Sequence, residues 1–195
     1  MSRWQPDARA RLEEAALELF AERGFADTTV PQITSRAGLT TRTFFRHFAD
    51  KREVLFADEQ DVPTLAARMI ADAPADHSPM QIIAGGLDTV AAAQFAGGVE
   101  RFARRKAVIQ SDDGLREREL HKVAELADAI HSGFVARGVD DLTAALVAQV
   151  TVTVFGISIG RWLRAGGDAE LPPILRETLA ELRSVMHDPG WDATA

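Results

Sequence analysis

Apolar residues recur at every third or fourth position along most of this chain, and glycine or proline interrupts the pattern at intervals. Within residues 7–23, for example, Leu12, Ala16 and Leu19 follow this spacing. Side chains at that spacing lie on one face of an α-helix, and Gly24 is placed to end the helix as a C-cap. Because the pattern continues through the chain, we predict an all-α fold.

Capping residues indicate where these helices begin. Thr29 and Gln32 have the spacing of a capping box, Asp50 and Glu53 repeat it, and Thr40 is suited to cap the segment between them. These residues predict three short helices after the first one. Longer helices are predicted over residues 79–96, 98–110, 113–137, 141–165 and 172–187.

One segment has the alternation of a strand. Residues 150–159 are rich in β-branched side chains at every second position. A single strand in a helical chain has no pairing partner, so we predict a helix here as well. Residues 142–160 contain no charged residue, but their threonines, serine, glutamine and two glycines suit hydrocarbon poorly. We therefore expect a buried packing helix and no membrane span.

The residue types present exclude several classes of protein. The 195 residues include no cysteine, so there is no disulfide framework, thiolate metal site or cysteine nucleophile. The first 15 residues, MSRWQPDARARLEEA, lack the apolar run and cleavage site of a signal peptide. The chain has no phosphate-loop, Gly-x-Ser-x-Gly or His-Glu-x-x-His motif. We expect a cytoplasmic protein that is not an enzyme and holds neither cofactor nor metal.

The charge of the chain is unevenly distributed. Its formal net charge is −7, which is unusual for a protein that binds nucleic acid. Residues 1–57, however, carry nine Lys or Arg and eight Asp or Glu, whereas the rest of the chain carries 13 and 21. Five of the basic residues fall within residues 30–56. A small basic region on an acidic protein is compatible with local contact to DNA.

A tight turn at residues 37–39 joins two of the short helices predicted within residues 12–48. A turn of this kind, which often contains glycine, sets two helices at a steep angle and lets the second enter the major groove of DNA. The second helix opens with Thr40, Thr41 and Arg42. Free amides at its N-terminus suit phosphate, and Arg42 is placed to reach a guanine edge. The spacing therefore predicts a helix-turn-helix.

The segment GFADTTVPQITSRAGLTTRTFFRHFADKREVLF, residues 24–56, resembles the N-terminal helix-turn-helix of the TetR family of transcriptional regulators. The resemblance implies an N-terminal DNA-binding domain over residues 1–56 and a helical effector-binding and dimerisation domain over residues 57–195. It also implies a repressor that binds a palindromic operator as a homodimer and is released by a small-molecule effector. The residues that carry the resemblance are Gly24, Phe25, Thr28, Thr29, Val30, Ile33, Ala37, Gly38, Thr43, His47, Phe48 and Lys51.

The resemblance also implies which residues approach DNA. Phe45 stands where the family often has a tyrosine, so a hydroxyl contact to phosphate is not carried over. Arg52 is also predicted to approach DNA. Lys51 and Arg52 follow Asp50 in the predicted first turn of a helix, where the helix dipole destabilises each cation by about 0.3–1 kcal/mol. A DNA phosphate there would offset that cost, and the alternative is a solvated pair. The predicted DNA-binding residues are Thr29, Thr40, Thr41, Arg42, Phe45, His47, Lys51 and Arg52.

Two interpretations of the effector region remain open at this point. Arg101, Arg104 and Arg105 share one helical face and fit either a solvated face paired with nearby carboxylates or a cradle for an anionic effector group. Residues 101–120 resemble the effector domain of the TetR subgroup typified by the mycofactocin-system regulator, which implies an acyl-CoA-like ligand. The residues predicted to line an apolar pocket are Phe102, His131, Phe134, Phe155 and Trp162.

The penultimate predicted helix has a face of small and polar residues, Gln149, Thr153, Gly156 and Gly160. Such a face allows close approach of another helix, either within the chain or across a homodimer. The resemblance implies that the last two helices pair with their symmetry mates as a four-helix bundle. A competing hypothesis for the whole chain is a helical small-molecule-binding protein or enzyme that retains a vestigial helix-turn-helix.

Overall fold

The computed structural model describes residues 7–56, 62–94, 98–166 and 169–187, and every regular element within these ranges is an α-helix. The all-α prediction is confirmed. The bounds of the ten helices in this part of the chain are α1 Ala8–Arg23, α2 Val30–Ala37, α3 Thr41–His47, α4 Glu53–Phe56, α5 Val62–Asp72, α6 Pro79–Gln94, α7 Val99–Gln110, α8 Asp113–Ala136, α9 Asp141–Ala165 and α10 Leu171–Met186.

The chain divides into two compact units. The first unit contains Met1–Gln60 and Arg101–Lys122, and the second contains Asp61–Glu100 and Val123–Ala195. Residues 101–122, which the sequence assigns to the C-terminal domain, therefore pack with the N-terminal helices. The functional division at residues 56 and 57 stays a prediction.

The core of the first unit forms around α1. Leu12, Ala16, Leu19 and Phe20 are almost completely buried, and α1 contacts α2, α3 and α4. Apolar side chains of α7 and of the first turn of α8 complete this core. The buried residues added by the other elements are Phe25, Ile33, Ala37, Phe44, Phe48, Val54, Leu55, Phe56, Val108, Ile109 and Leu115.

The turn between α2 and α3 requires glycine. Gly38 has φ +64°, in the left-handed region that side chains disfavour. The amide of Leu39 then donates to the carbonyl of Thr34 at 2.8 Å, which ends α2. A Cβ atom at Gly38 would lie 3.1 Å from the guanidinium of Arg11, which itself donates to the carbonyl of Ala37. Local backbone and packing thus both hold the predicted turn.

The second unit is built on α9, which contacts α6 and α10. Residues 150–159 are helical despite their alternating pattern, as predicted. The expectation of a buried helix holds for one side only, because Leu142, Leu146 and Ile157 are 69%, 59% and 50% exposed. By length and composition α9 is able to cross a membrane, because an 18-residue window within it has a mean hydropathy of 1.9, and 39% of that window is buried.

Arg137 holds the C-terminal end of α5. Its guanidinium donates to the carbonyl oxygens of Ile70, Ala71, Ala73 and Pro74, at distances from 2.8 to 3.2 Å. The last carbonyls of a helix have no partner within the helix, so a guanidinium placed there satisfies several of them at once. This one side chain therefore joins the end of α5 to the end of α8.

Replacing Arg137 by methionine should destabilise the second unit. Arg137→Met removes hydrogen bonds from a charged donor, and we expect the free energy of unfolding to fall by about 1.5–3 kcal/mol. Arg176→Met is the matched control, because Arg176 makes an exposed ion pair with Asp88 and such pairs contribute about 0–1 kcal/mol. Urea unfolding followed by circular dichroism measures both. Equal losses in the two variants would contradict the capping role.

Candidate nucleic-acid interface

The short helix α3 has one buried face and one exposed face. Phe44 is fully buried on the inner side, and the outer side carries Thr41, Arg42, Phe45 and Arg46, all exposed. No hydrogen-bond or ion-pair partner for the Arg42 side chain occurs in the part of the chain that the structure describes. The exposed face therefore presents two cations, a hydroxyl group and an aromatic ring.

Threonines cap both helices of the motif. The Oγ1 atom of Thr40 accepts from the amide of Thr43 at 3.2 Å, and the amide of Thr29 donates to the Oε1 atom of Gln32 at 2.8 Å. Thr29 and Thr40 are themselves exposed. The caps predicted at Thr29 and Thr40 are confirmed, and the N-terminal ends of α2 and α3 are open to solvent.

Arg46 is a candidate that the sequence analysis left out. It follows Arg42 by four residues, and residues four apart in a helix lie on the same face. Its Nη2 atom stands 3.4 Å from the Nε2 atom of His47, which is half-buried. The spacing of Arg42 and Arg46 in the sequence is the signal that predicts their shared face, whereas the family resemblance implies a DNA contact for His47 only.

Lys51 lies at the turn into α4, and main-chain oxygens hold its ammonium group. Its Nζ atom donates to the carbonyls of Phe25, Ala26 and Thr28 at 2.7, 3.1 and 2.9 Å, and lies 4.3 Å from the centre of the Phe25 ring. Three acceptors match the three ammonium hydrogens. The predicted unfavourable interaction of Lys51 with the helix dipole is absent, because α4 begins only at Glu53. The three carbonyls stabilise the ammonium group without a phosphate.

Arg52 is paired with Asp50. The Oδ2 atom of Asp50 accepts from the Arg52 guanidinium at 3.0 Å, and its Oδ1 atom accepts from the amides of Arg52 and Glu53. Partial burial raises the pKa of Asp50, but the Glu53 amide and Arg52 outweigh it, so that pKa lies below its ordinary value. The carboxylate of Glu53 does not complete the predicted capping box; it accepts from Arg118 at 3.3 Å.

Arg36 belongs to the basic region of the sequence, but carboxylates of α1 balance its charge in the structure. Its guanidinium donates to Glu18 at 3.0 Å and to both carboxylate oxygens of Glu22 at 2.9 and 2.8 Å. These hydrogen bonds raise the pKa of the Arg36 guanidinium and lower that of the Glu22 carboxyl. Arg36 therefore connects α2 to α1 and leaves the net positive charge to α3 and the segment that follows it.

Two arginines of α7 make ion pairs with α1. Arg101 donates to Glu13 at 2.6 Å, and Glu13, only 6% exposed, also accepts from Arg9 at 2.9 Å. Arg104 pairs with Glu14 at 3.0 Å on the surface. The contacts of these arginines thus lie within the first unit, and an effector role for them stays a prediction.

Arg105 and Arg118 both contact residues of α4. Arg105 donates to the carbonyl of Leu55, and both guanidinium groups stand 5.6 Å from the centre of the Phe56 ring. Phe102 lies 5.5 Å from the same Arg105 guanidinium. Cations at this distance from a ring are attracted to it. The C-terminal end of α4 is thus held by residues of α7 and α8.

The residues predicted to line an effector pocket are divided between the two units. His131 contacts Asp141, with Nε2 and Oδ1 3.0 Å apart, and the Nε1 atom of Trp162 donates to the carbonyl of Ala169 at 2.8 Å. Phe102 belongs to the first unit, whereas the members in the second unit are His131, Phe134, Phe155 and Trp162, of which Phe134 and Trp162 are buried.

The predicted dimer residues lie on the outer side of α9. Gln149, Thr153 and Gly156 are exposed, and Gly160 is half-buried. A Cβ atom added to Gly156 would meet nothing within 4 Å in the part of the chain that the structure describes. This glycine does not serve close packing against another described helix of the same chain.

Comparison with known proteins gives consistent matches. The family model of the bacterial regulatory proteins of the tetR family matches residues 12–57. The chain is 29% identical over 173 residues to the HTH-type transcriptional regulator TcmR of Streptomyces glaucescens, covering 83% of this chain and 76% of TcmR. It is 30% identical over 152 residues to the HTH-type transcriptional repressor Rv3405c of Mycobacterium tuberculosis, covering 77% and 71%.

A solved structure extends the likeness to the fold. The transcriptional regulator FadR from Bacillus subtilis, in complex with stearoyl-CoA, matches with a TM-score of 0.59 at 17% identity, covering 88% of this chain and 95% of FadR. An exposed, cationic α3 behind a glycine turn in an all-α chain defines a DNA-binding transcriptional regulator. More narrowly, the chain belongs to the TetR family of bacterial regulators.

Lys51→Met should destabilise the protein in the absence of DNA. The substitution removes three hydrogen bonds to the loop between α1 and α2, so we expect the free energy of unfolding to fall by about 1–3 kcal/mol. Arg42→Met is the control, since that side chain is exposed, and it should change stability by less than about 0.5 kcal/mol. Chemical denaturation measures both variants. A Lys51→Met protein as stable as wild type would rule out the anchoring role.

Proposed function

We propose that this protein is a cytoplasmic, ligand-responsive repressor that binds a palindromic operator as a homodimer. The observation that carries the proposal is the exposed face of α3, where Arg42, Phe45 and Arg46 stand opposite the buried Phe44. A helix with this division fits the major groove while its inner face stays in the core. Binding of a small-molecule effector then lowers the affinity for DNA.

The proposed DNA contacts fall into two kinds. Arg42 reads a guanine edge, because a guanidinium matches the two acceptors of guanine in the major groove. The residues that position the protein on phosphates are Thr29 and Thr40 at the helix N-termini, Thr41 beside them, and His47 and Arg52. Lys51 acts by holding the loop before α2, and a phosphate contact would need its ammonium group to exchange a carbonyl partner.

The homodimer is proposed to form through α9. Leu142, Leu146 and Ile157 are half or more exposed on a helix with no charged residue between positions 142 and 160. Apolar side chains exposed along the length of one helix indicate an interface. Gln149, Thr153, Gly156 and Gly160 extend the outer side of α9, and small residues there allow a second copy to approach closely.

The effector is proposed to be a largely apolar molecule with an anionic end, of the acyl-CoA type. Support comes from the FadR likeness and from buried aromatic side chains such as Phe134 and Trp162 in the second unit. Ser158 is also fully buried, and its Oγ atom has no hydrogen-bond partner among the described residues. An anionic head at Arg101 or Arg104 would have to displace Glu13 or Glu14.

Release of DNA requires two arrangements of the protein, of which the effector favours the one that cannot bind. The contacts of Arg105 and Arg118 with Phe56 and those of Arg101 with Glu13 connect α7 and α8 to α4 and α1. We propose that a shift of α7 or α8 reaches α3 through these contacts. Substitution of the α7 arginines is then expected to alter DNA affinity itself.

Purified protein should bind a palindromic site selected from genomic DNA, and the affinity should fall steeply with salt because counterions are released. Arg42→Ala should relax the preference at one base position of each half-site, at a cost of about 1–3 kcal/mol. Lys122→Ala, in α8, serves as a cationic control, which should leave the base preference unchanged. Gel shifts over a salt series measure these effects.

Absence of binding to any genomic fragment would overturn the repressor proposal and favour the helical binding protein with a vestigial motif. If DNA is bound, stearoyl-CoA added to the gel shift tests the effector class. Release by the thioester supports an acyl-CoA-type ligand, and release only by neutral apolar compounds contradicts its anionic end.

Ile157→Glu should produce a monomer. A carboxylate in the proposed α9 interface is costly to desolvate without a partner, so the dimer should dissociate and operator affinity should fall. Leu120→Glu is the matched control, since Leu120 is 71% exposed but lies in the first unit. Sedimentation equilibrium measures the mass of both variants. A wild-type protein that is monomeric at micromolar concentration would refute the interface.

A further inference from the structure

Phe45 combines exposure with a fixed position. Its side chain is 60% exposed, and its ring packs edge-on against Phe44, with ring centres 5.4 Å apart and an interplanar angle of 82°. Phe44 itself is fully buried. The Phe45 ring therefore contacts a ring of the core, while more than half of its side chain faces solvent. An exposed aromatic ring that also packs against the core is suited to contact another molecule.

The chemistry of phenylalanine restricts what this ring can recognise. Phe45 lies one turn after Thr41 and three residues after Arg42, on the exposed side of α3. Its ring has no hydrogen-bond donor or acceptor, so it cannot replace a hydroxyl contact to phosphate. In the major groove the bases present one apolar group, the C5-methyl group of thymine. The other base edges present donors and acceptors that a phenyl ring would desolvate without compensation.

We propose that Phe45 reads a thymine methyl group, so that each operator half-site contains a thymine next to the base contacted by Arg42. This inference rests on the proposed DNA-binding function and adds a specificity-determining residue to it. Phe45 then supplies apolar recognition beside the polar recognition by Arg42, and the two side chains select neighbouring bases by different chemistry. A ring lying against the sugar–phosphate backbone would contribute affinity but no base preference.

Replacement of thymine by deoxyuridine tests this proposal, because it removes the methyl group and keeps base pairing and charge. The operator is first selected with ordinary DNA, and then each thymine is replaced by deoxyuridine, one position at a time, in both half-sites. At one position we expect the affinity to fall about fourfold for each methyl group lost. Over two symmetric half-sites this amounts to about fifteenfold.

Variants of Phe45 assign the effect to the ring. Phe45→Ala should bind thymine and deoxyuridine operators with equal affinity, whereas Phe45→Tyr, which keeps the ring, should retain the preference for thymine. Thermal unfolding of each variant reports whether the fold is intact. Selection of the operator already requires the protein to bind DNA. The proposed function is therefore tested before the inference is.

Two outcomes would overturn the inference while leaving the proposed function in place. Wild-type protein that binds thymine and deoxyuridine operators equally would place the ring against the backbone. A thymine preference that persists in Phe45→Ala would assign the methyl contact to another side chain or to DNA shape. Failure to select any operator would instead overturn the proposed function itself.

Discussion

The placement of α3 depends on the burial of Phe44 and Phe48. Both rings are almost completely removed from solvent, and their centres lie 5.3 Å apart. A helix of seven residues is far too short to be stable by itself, whereas burial of each aromatic side chain contributes about 1.5–3 kcal/mol. The core therefore decides both that α3 forms and which face it exposes. Arg42, Phe45 and Arg46 stand outward because their neighbours in the helix are held inward.

Charged side chains connect the rest of the first unit to α1. Arg36 joins α2 to it, Lys51 holds the loop that follows it, and Arg101 reaches it from α7. The last of these pairs contains Glu13, a nearly buried carboxylate. A buried charge is tolerated only where partners compensate for lost water, so Glu13 constrains how α7 can move against α1.

The contacts around α4 connect α7 and α8 to the N-terminal helices. Phe56 is fully buried, and cations from α7 and α8 lie near its ring. Phe56 and Leu55 also belong to the same apolar core as Phe44. Val108 and Ile109 of α7 and Leu115 of α8 are part of this core as well, so it joins these two helices to the buried side of α3. Residues 101–122 therefore belong to the same compact unit as the N-terminal helices, although they lie far from them in sequence.

Apolar periodicity and caps determined the helices of this protein, because both are local properties of the chain. The predicted bounds of α7 and α9 lie within one residue of the observed bounds. The turn at Gly38 and the family resemblance of residues 24–56 predicted the DNA-binding motif. Only the tertiary structure decided the partners of the charged side chains. Lys51 bonds to residues 23–26 positions away and Arg101 to one 88 positions away, and periodicity specifies the face of a side chain, not the neighbour that it meets.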